Sequence, residues 1–260
     1  MKVAILCGGM GTRLREETEF RPKPMVEIGG RPILWHIMKI YAHYGFNEFI
    51  LCLGYKGEMI KEYFLNFEIL NSDFTLELGT ASKNIIIHET HRRENWKITM
   101  VDTGLQAMTG ARIKRIEKFI DTDTFMMTYG DGVGDVDIRK LLAFHRSHGK
   151  IATVTGVKPI SRFGFLSIHN DRVISFAEKP PVREEYINGG FFVFNKDVFN
   201  YLDSDDSCMF EHEPMERLAA TGELMVYRHD GYWHCMDTIR DRDMLEREWQ
   251  REKPGWKVWE

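Results

Sequence analysis

The 260-residue sequence has no surplus of positive charge: 35 Lys and Arg stand against 39 Asp and Glu, a formal net charge of −4. Nucleic-acid binding displaces counterions and needs a basic footprint, so nucleic acid is not an expected partner. An anionic ligand would depend on a local cluster of cations. Cysteine is scarce as well. Cys7, Cys52, Cys208 and Cys235 lie far apart with no C-x-x-C pair, which argues against a zinc ribbon or a disulfide framework and for a reducing cytosol. Long apolar runs are missing: Val3–Cys7 is too short for a signal peptide, and no run approaches the roughly 20 residues of a membrane span. The expectation is a cytoplasmic protein without a membrane partner. There is no internal repeat, low-complexity tract or Pro/Ser/Gly-rich linker, so residues 1–260 are read as one domain.

What remains is ordinary globular material, 43% hydrophobic and 28% charged, enough to bury a core without staples. Val3–Cys7, Phe49–Leu53, Ile98–Val101 and Phe125–Tyr129 read as strands. Between them Pro32–Tyr44, Lys56–Phe67, Ala111–Phe119 and Val136–His148 have helical spacing, the first with Ile33, Ile37, Ile40, Tyr41 and Tyr44 on one stripe. Such alternation predicts an α/β fold with a mostly parallel sheet and helices on both faces. After about residue 150, Ile151–Val157, Phe165–Ile168, Val173–Ala177 and Gly190–Phe194 are closely spaced strand-like runs, an α+β extension of the same sheet. A last helix around Arg240–Gln250 precedes Trp256 and Trp259, aromatics expected to dock on the parent fold or on a neighbouring subunit.

Gly8-Gly9-Met10-Gly11-Thr12-Arg13-Leu14 follows the first strand directly. Glycines there let the backbone approach a ligand, and successive N–H groups cradle phosphate. The spacing fits neither a P-loop nor the dinucleotide fingerprint, whose third glycine is absent. A plain turn would explain two glycines; it would not explain three followed by Arg13, with Lys23 set in Pro22-Lys23-Pro24 ten residues later.

This loop, followed by Pro22-Lys23-Pro24-Met25, resembles the signature of the sugar nucleotidyltransferases, the nucleoside-diphosphate-sugar pyrophosphorylases. Further blocks are similar to one branch, the glucose-1-phosphate cytidylyltransferases: Gly54-Tyr55-Lys56-Gly57, Val101-Asp102-Thr103-Gly104, Met108-Thr109-Gly110-x-Arg112, Tyr129-Gly130-Asp131-Gly132 and Arg162-Phe163-Gly164. So are Glu178-Lys179-Pro180, Ile187-Asn188-Gly189-Gly190-Phe191-Phe192, Met236-Asp237-Thr238 and Trp256-Lys257-Val258-Trp259. Cys7 departs from the wider family's usual Ala, a small-for-small change that needs no thiol chemistry.

The resemblance implies a Rossmann-like three-layer sheet, with a nucleotide-binding half at about 1–150 and a C-terminal α+β sugar-phosphate-binding half at about 151–260. It implies that CTP and α-D-glucose 1-phosphate react to CDP-glucose and pyrophosphate, with UTP or dTTP as the alternative nucleotide. A homo-oligomer, with a hexamer as one candidate, and a supply of CDP-glucose to surface polysaccharide are implied too. The attacking sugar-phosphate oxygen is already an anion, so no general base is needed. Positioning and charge stabilisation carry such a step.

Arg13 and Lys23 are therefore the expected catalytic cations. By resemblance, Leu6, Gly8, Gly9, Met10, Gly11, Thr12, Thr109, Arg112, Gly130 and Asp131 join them around the nucleotide. Gly164, Glu178, Lys179, Asn188 and Gly189 take the sugar phosphate. Asp131 and Asp237 hold Mg²⁺, which favours one or two carboxylates plus phosphate oxygens and water. Asp131 alone would pass for an Asp-Gly turn, and Lys179 alone for a solvated loop residue. Arg112 is a donor only, so facing cytosine O2 and N3 it would favour that base and repel uracil's protonated N3; the alternative is a surface position near Lys114 and Arg115 at a helix start.

Asp135-x-Asp137 imitates the metal motif of A-type glycosyltransferases but is expected to cap a helix. A glycosyltransferase would not need the Gly8–Lys23 signature, and a non-catalytic sensor would lose its charged residues first. His145 with His148, His88 with His91, and Glu211-His212-Glu213 lack a completed site and read as structural or solvated, the first pair exposed near a helix end.

Overall fold

Alternate side chains of the first strand enter different cores. In β1 (Lys2–Leu6), Val3 and Ile5 pack on one face while Ala4 and Leu6 pack on the other. Phe49, Leu51 and Leu53 of β2 (Glu48–Leu53) join the first face, and Ile50 and Cys52 the second. A strand buried on both sides reads as a continuous apolar run, because the two-residue alternation has no polar face to show. The computed structural model describes residues 1–79, 84–90, 94–158, 165–169, 172–177 and 186–260.

The other central strands are β3 (Lys97–Asp102), β4 (Thr124–Tyr129), β5 (Ala152–Val157), β6 (Ile187–Asn195) and β7 (Leu224–His229). Their order across the sheet is β7-β5-β6-β4-β1-β2-β3. β1 is parallel to β2 and β4, β2 to β3, and β5 to β7, while β6 runs antiparallel to both neighbours. The sheet is mostly parallel, as the alternation predicts. Helices α1 (Ile33–His43), α2 (Gly57–Leu65), α4 (Ile138–His148) and α6 (Ile239–Trp249) contribute to the core on one face. α3 (Thr109–Arg115) and α5 (Glu213–Ala220) contribute to the core on the other, which makes three layers.

Two of the late strand-like runs leave the main sheet: among the described residues, Phe165–His169 and Arg172–Ala177 pair only with each other. The edge strand β7 and the hairpin Ser72–Glu77 with Asn84–Thr90 have no counterpart in the sequence reading. Asp137 does cap α4, accepting from the Lys140 amide at 2.9 Å, whereas Asp135 meets His229 at 3.0 Å. His145 is not exposed. It is 1% accessible and bonds the Thr153 hydroxyl at 2.9 Å and the Asn195 side-chain carbonyl at 3.1 Å, so its helix end is pressed against β5 and β6.

Trp256 is fully buried against Tyr232 and Trp249, and Trp259 meets Trp35 edge-on, so the aromatic tail docks on the parent fold. These rings enclose His36, which bonds the Ile28 carbonyl at 2.9 Å. Burial lowers its pKa to about 4. Among the described residues, no helix is long and apolar enough to cross a membrane.

Candidate active site

Sheet topology decides where a ligand can sit. From β1 the chain builds outward through β2 and β3, then returns to place β4 on the other side of β1. The loops after β1 and β4 therefore diverge, opening a crevice at the carboxyl edge of the sheet. Because β6 is antiparallel, its first residues reach that same edge. A cavity of about 610 Å³ lies there, in the size range of small-molecule sites. It is lined by the glycine loop, the start of α3, Tyr129–Gly132, Asn188–Gly190 and Asp237.

Close packing of the loop accounts for its glycines. Gly11 takes the left-handed conformation at φ 62°, with a short turn over Thr12–Leu14 behind it. A Cβ on Gly8 would lie 2.1 Å from Arg112 Nη1, and one on Gly130 would lie 2.7 Å from the Leu6 carbonyl. The loop and the buried arginine thus occupy adjoining space, and a methyl group is too much.

A short strand pair, Gly132–Gly134 with Trp233–Cys235, brings two distant carboxylates together. Asp131 precedes one strand and Asp237 follows the other, and the Met236 amide bonds the Asp131 carbonyl at 2.8 Å. The Thr238–Asp241 capping box at the start of α6 fixes the Asp237 backbone, whose amide bonds Asp241 Oδ2 at 3.1 Å. Between the carboxylates sits Lys23 Nζ, 2.6 Å from Asp131 Oδ2 and 2.7 Å from Asp237 Oδ1. Arg13 Nη1 meets Asp237 Oδ2 at 2.9 Å, with its side chain 72% exposed. Burial alone would lower the Lys23 pKa, but Asp131 and then Asp237 outweigh it and hold the pKa above its usual value. For Asp237, burial is the larger single influence and acts upward. The Lys23 hydrogen bond, with the charges of Lys23 and Arg13, overcomes it and leaves the carboxyl below its usual range. Two cations and two anions form one compact cluster beside the glycine loop.

Arg112 is buried, at 4% exposure, rather than a surface residue. Its terminal nitrogens donate to the carbonyls of Gly104 (2.7 Å), Gly8 (3.0 Å), Leu53 (3.1 Å) and Leu105 (3.4 Å), and to the Thr103 hydroxyl at 2.8 Å. A buried cation must be solvated by something, and here backbone oxygens of three loops do it. The guanidinium therefore ties those loops together on the cavity wall, a role the sequence did not reveal.

Leu6, Gly8, Gly9, Gly11, Thr12, Arg13, Lys23, Thr109, Arg112, Gly130, Asp131, Asn188, Gly189 and Asp237 all line the cavity. Met10 does not; it is 43% exposed and its side chain is outside the lining. Gly164, Glu178 and Lys179 lie outside the described residues, as does His91.

Glu211, expected to be structural or solvated, lines the cavity instead. It accepts from the Thr109 hydroxyl at 2.5 Å and from the Tyr129 hydroxyl at 2.6 Å. Trp233 is a second lining residue without a sequence signal; its indole N–H holds the Gly189 carbonyl at 2.7 Å. The cysteines add no reactive thiol to the site. Burial pushes Cys235 up to about 12, and Cys7 well above its usual value.

Comparison with known proteins gives the family and supports the fold. Residues 2–241 match the nucleotidyl transferase family. The glucose-1-phosphate cytidylyltransferase of Salmonella typhimurium is 50% identical, and the probable glucose-1-phosphate cytidylyltransferase of Bacillus subtilis is 46% identical. Both alignments cover 100% of each chain. Among solved structures, HddC from Yersinia pseudotuberculosis superposes with a TM-score of 0.69 at 24% identity, covering 96% of this chain and 99% of that one. A UTP-bound UGPase from Acinetobacter baumannii gives 0.67 at 16% identity, over 98% and 95% of the two chains. At those identities the structures speak for the fold, while the sequence matches span the whole chain. The chain belongs to the nucleotidyl transferase family.

Proposed function

We propose that the chain joins CTP to α-D-glucose 1-phosphate, giving CDP-glucose and pyrophosphate. Full-length identity of 50% to a protein bearing that name supports the reading. The observation that carries it chemically is the charge cluster of two cations and two carboxylates, Lys23 between Asp131 and Asp237 with Arg13 at the rim, next to a glycine loop at the sheet's carboxyl edge. A triphosphate laid along the loop would meet backbone N–H groups first and these cations next.

The sugar-phosphate oxygen then needs only alignment with the α-phosphorus, with pyrophosphate leaving on the opposite side. Arg13 and Lys23 stabilise charge gathering on that leaving group. A preorganised donor in such a position typically contributes about 10²–10³ in rate. Lys23 keeps its three-donor ammonium where both carboxylates fix its direction. Arg13, largely exposed, follows the phosphate at the rim.

The donor set fits Mg²⁺: oxygens of Asp131 and Asp237 already converge on one cation, and Mg²⁺ is served by two carboxylates with phosphate oxygens and water. Held by those two residues, it would neutralise triphosphate charge as a Lewis acid. Asn188 and Gly189 bind the glucose ring, and Lys179, with Glu178 and Gly164, takes its phosphate. Arg112 reads cytosine by exchanging its Nη2 bonds, to Leu105 and Gly8, for O2 and N3.

Four free cysteines, two of them buried, suit a reducing cytoplasm. Exposed Leu65, Leu70, Leu76 and Leu78 beside the Ser72–Glu77 hairpin suit a homo-oligomer, which sedimentation velocity would detect.

The test of function is pyrophosphate release with CTP, UTP, dTTP, GTP and ATP crossed against several hexose 1-phosphates. CTP with glucose 1-phosphate should give the highest kcat/KM. A preference for UTP or dTTP would overturn the cytidylyl assignment, and binding without release would overturn the enzyme.

A further inference from the structure

Glu211 accepts hydrogen bonds from two hydroxyls, on different elements, that line the cavity. Thr109 opens α3, whose next turn carries Arg112; Tyr129 ends β4 and leads to Asp131. The Thr109 oxygen also accepts from the Phe210 amide at 2.9 Å. The Tyr129 oxygen accepts from Asn188 Nδ2 at 3.2 Å, and Asn188 Oδ1 in turn accepts from the Gly190 amide at 2.8 Å. Gly190 holds φ 78°, and a Cβ there would stand 2.6 Å from the Tyr129 ring, so this strand start packs directly on the tyrosine.

The direction of every bond in this chain follows from its first member. An ionised carboxylate accepts and never donates. Both hydroxyls must therefore point their single proton at Glu211. Tyr129 then has only lone pairs left for Asn188, which must present its amide N–H₂ and not its carbonyl. The carbonyl is thereby turned to the Gly190 amide. Asn188 is left with one N–H and one lone pair side by side, a donor and an acceptor in known places. A sugar hydroxyl, which both gives and takes a hydrogen bond, matches that pair.

We propose that Glu211 is the positioning residue for sugar recognition, setting the polarity of the Tyr129–Asn188 relay so that Asn188 meets the sugar with a fixed donor–acceptor pair. This rests on the reading of Asn188 as a glucose contact. Glu211 acts through Tyr129, whose hydroxyl donates to it at 2.6 Å.

Glu211→Gln tests polarity with almost no change in shape. An amide must donate on one side, so one hydroxyl has to reverse. If Tyr129 reverses, its proton faces the Asn188 N–H₂ and the relay breaks. The expected result is a rise of about 10- to 100-fold in KM for glucose 1-phosphate, the worth of a hydrogen bond involving a charged group. KM for CTP should stay within about twofold, and the preference for glucose 1-phosphate over its 2-deoxy and 4-epimeric analogues should shrink. Tyr129→Phe should move the same constants in the same direction, whereas Glu211→Asp, which keeps the polarity, should restore part of the sugar preference. Equal rises in both KM values, or a lower Tm with both KM values unchanged, would show a merely structural carboxylate and overturn the proposal. Wild-type turnover of CTP and glucose 1-phosphate, measured in parallel, separates this failure from failure of the functional reading.

Discussion

Replacing Arg112 with Ala separates its two roles in one experiment. The substitution strips donors from the Gly8, Leu53, Gly104 and Leu105 carbonyls and from the Thr103 hydroxyl. A buried acceptor left without a partner costs about 1–3 kcal/mol, and water entering the vacated space recovers part of it. The Gly8 and Leu53 carbonyls keep the Tyr55 and Thr103 amides as donors, so the expected net loss is about 1–3 kcal/mol, read as a shifted urea midpoint in circular dichroism. That loss lowers activity with any nucleotide, because the glycine loop that Arg112 holds through Gly8 lines the cavity. The ratio of kcat/KM for CTP over UTP is a separate quantity. Donors facing O2 and N3 help cytosine and repel the protonated N3 of uracil, so removing them should cut the ratio about 10- to 100-fold. Pyrophosphate release, assayed well below the variant's Tm, gives both numbers. An equal fall with CTP and UTP would refute base reading, and an unchanged urea midpoint would refute the loop-tying role.

Lys23→Met should lower pyrophosphate release about 10²–10³-fold. The same variant should bind Mn²⁺ without nucleotide more tightly than wild type by paramagnetic resonance, since no ammonium competes for Asp131 and Asp237; weaker binding would refute that competition. Gly8→Ala places a methyl 2.1 Å from the Arg112 guanidinium, and overpacking of this kind should cost about 1–3 kcal/mol in urea unfolding. His36 is held neutral, with its pKa lowered from 6.5 to about 4 by burial, while the unfolded chain protonates below 6.5. Its contribution is fully present above pH 6.5 and lost as pH falls toward 4, by about 1.4 kcal/mol per pH unit and about 3 kcal/mol in all. Stability should fall less steeply over that window in His36→Gln, and identical pH slopes would contradict the burial argument.

Local features were legible in the sequence and non-local ones were not. The doubly buried strands announce themselves as unbroken apolar runs, and the glycine loop with Lys23 is a motif of neighbouring residues. Asp131 and Asp237 stand out for their positions beside recognisable blocks. Glu211 has no such neighbourhood: its role depends on Thr109, 102 residues away, and on Tyr129, 82 residues away. His145 looked like a helix-end surface residue because its partners, Thr153 and Asn195, come from two other strands. The edge strand β7 alternates only weakly, with Leu224, Met225 and Tyr227 half-buried and Val226 exposed, so no clear pattern marks it. Arg112 is not the surface arginine that its neighbours Lys114 and Arg115 suggest. Its five oxygen partners could be known only from the fold.

In the proposed reaction a glucose-phosphate oxygen attacks the α-phosphorus of CTP. Glucose 1-phosphate labelled with ¹⁸O at its non-bridging phosphate oxygens tests this most directly, followed by ³¹P NMR of the products. The expected result is that all of the label stays in CDP-glucose, with one label at the new P–O–P bridge and unlabelled pyrophosphate released. Labelled inorganic phosphate, the mark of glucose 1-phosphate hydrolysis, or label in the pyrophosphate would contradict that attack.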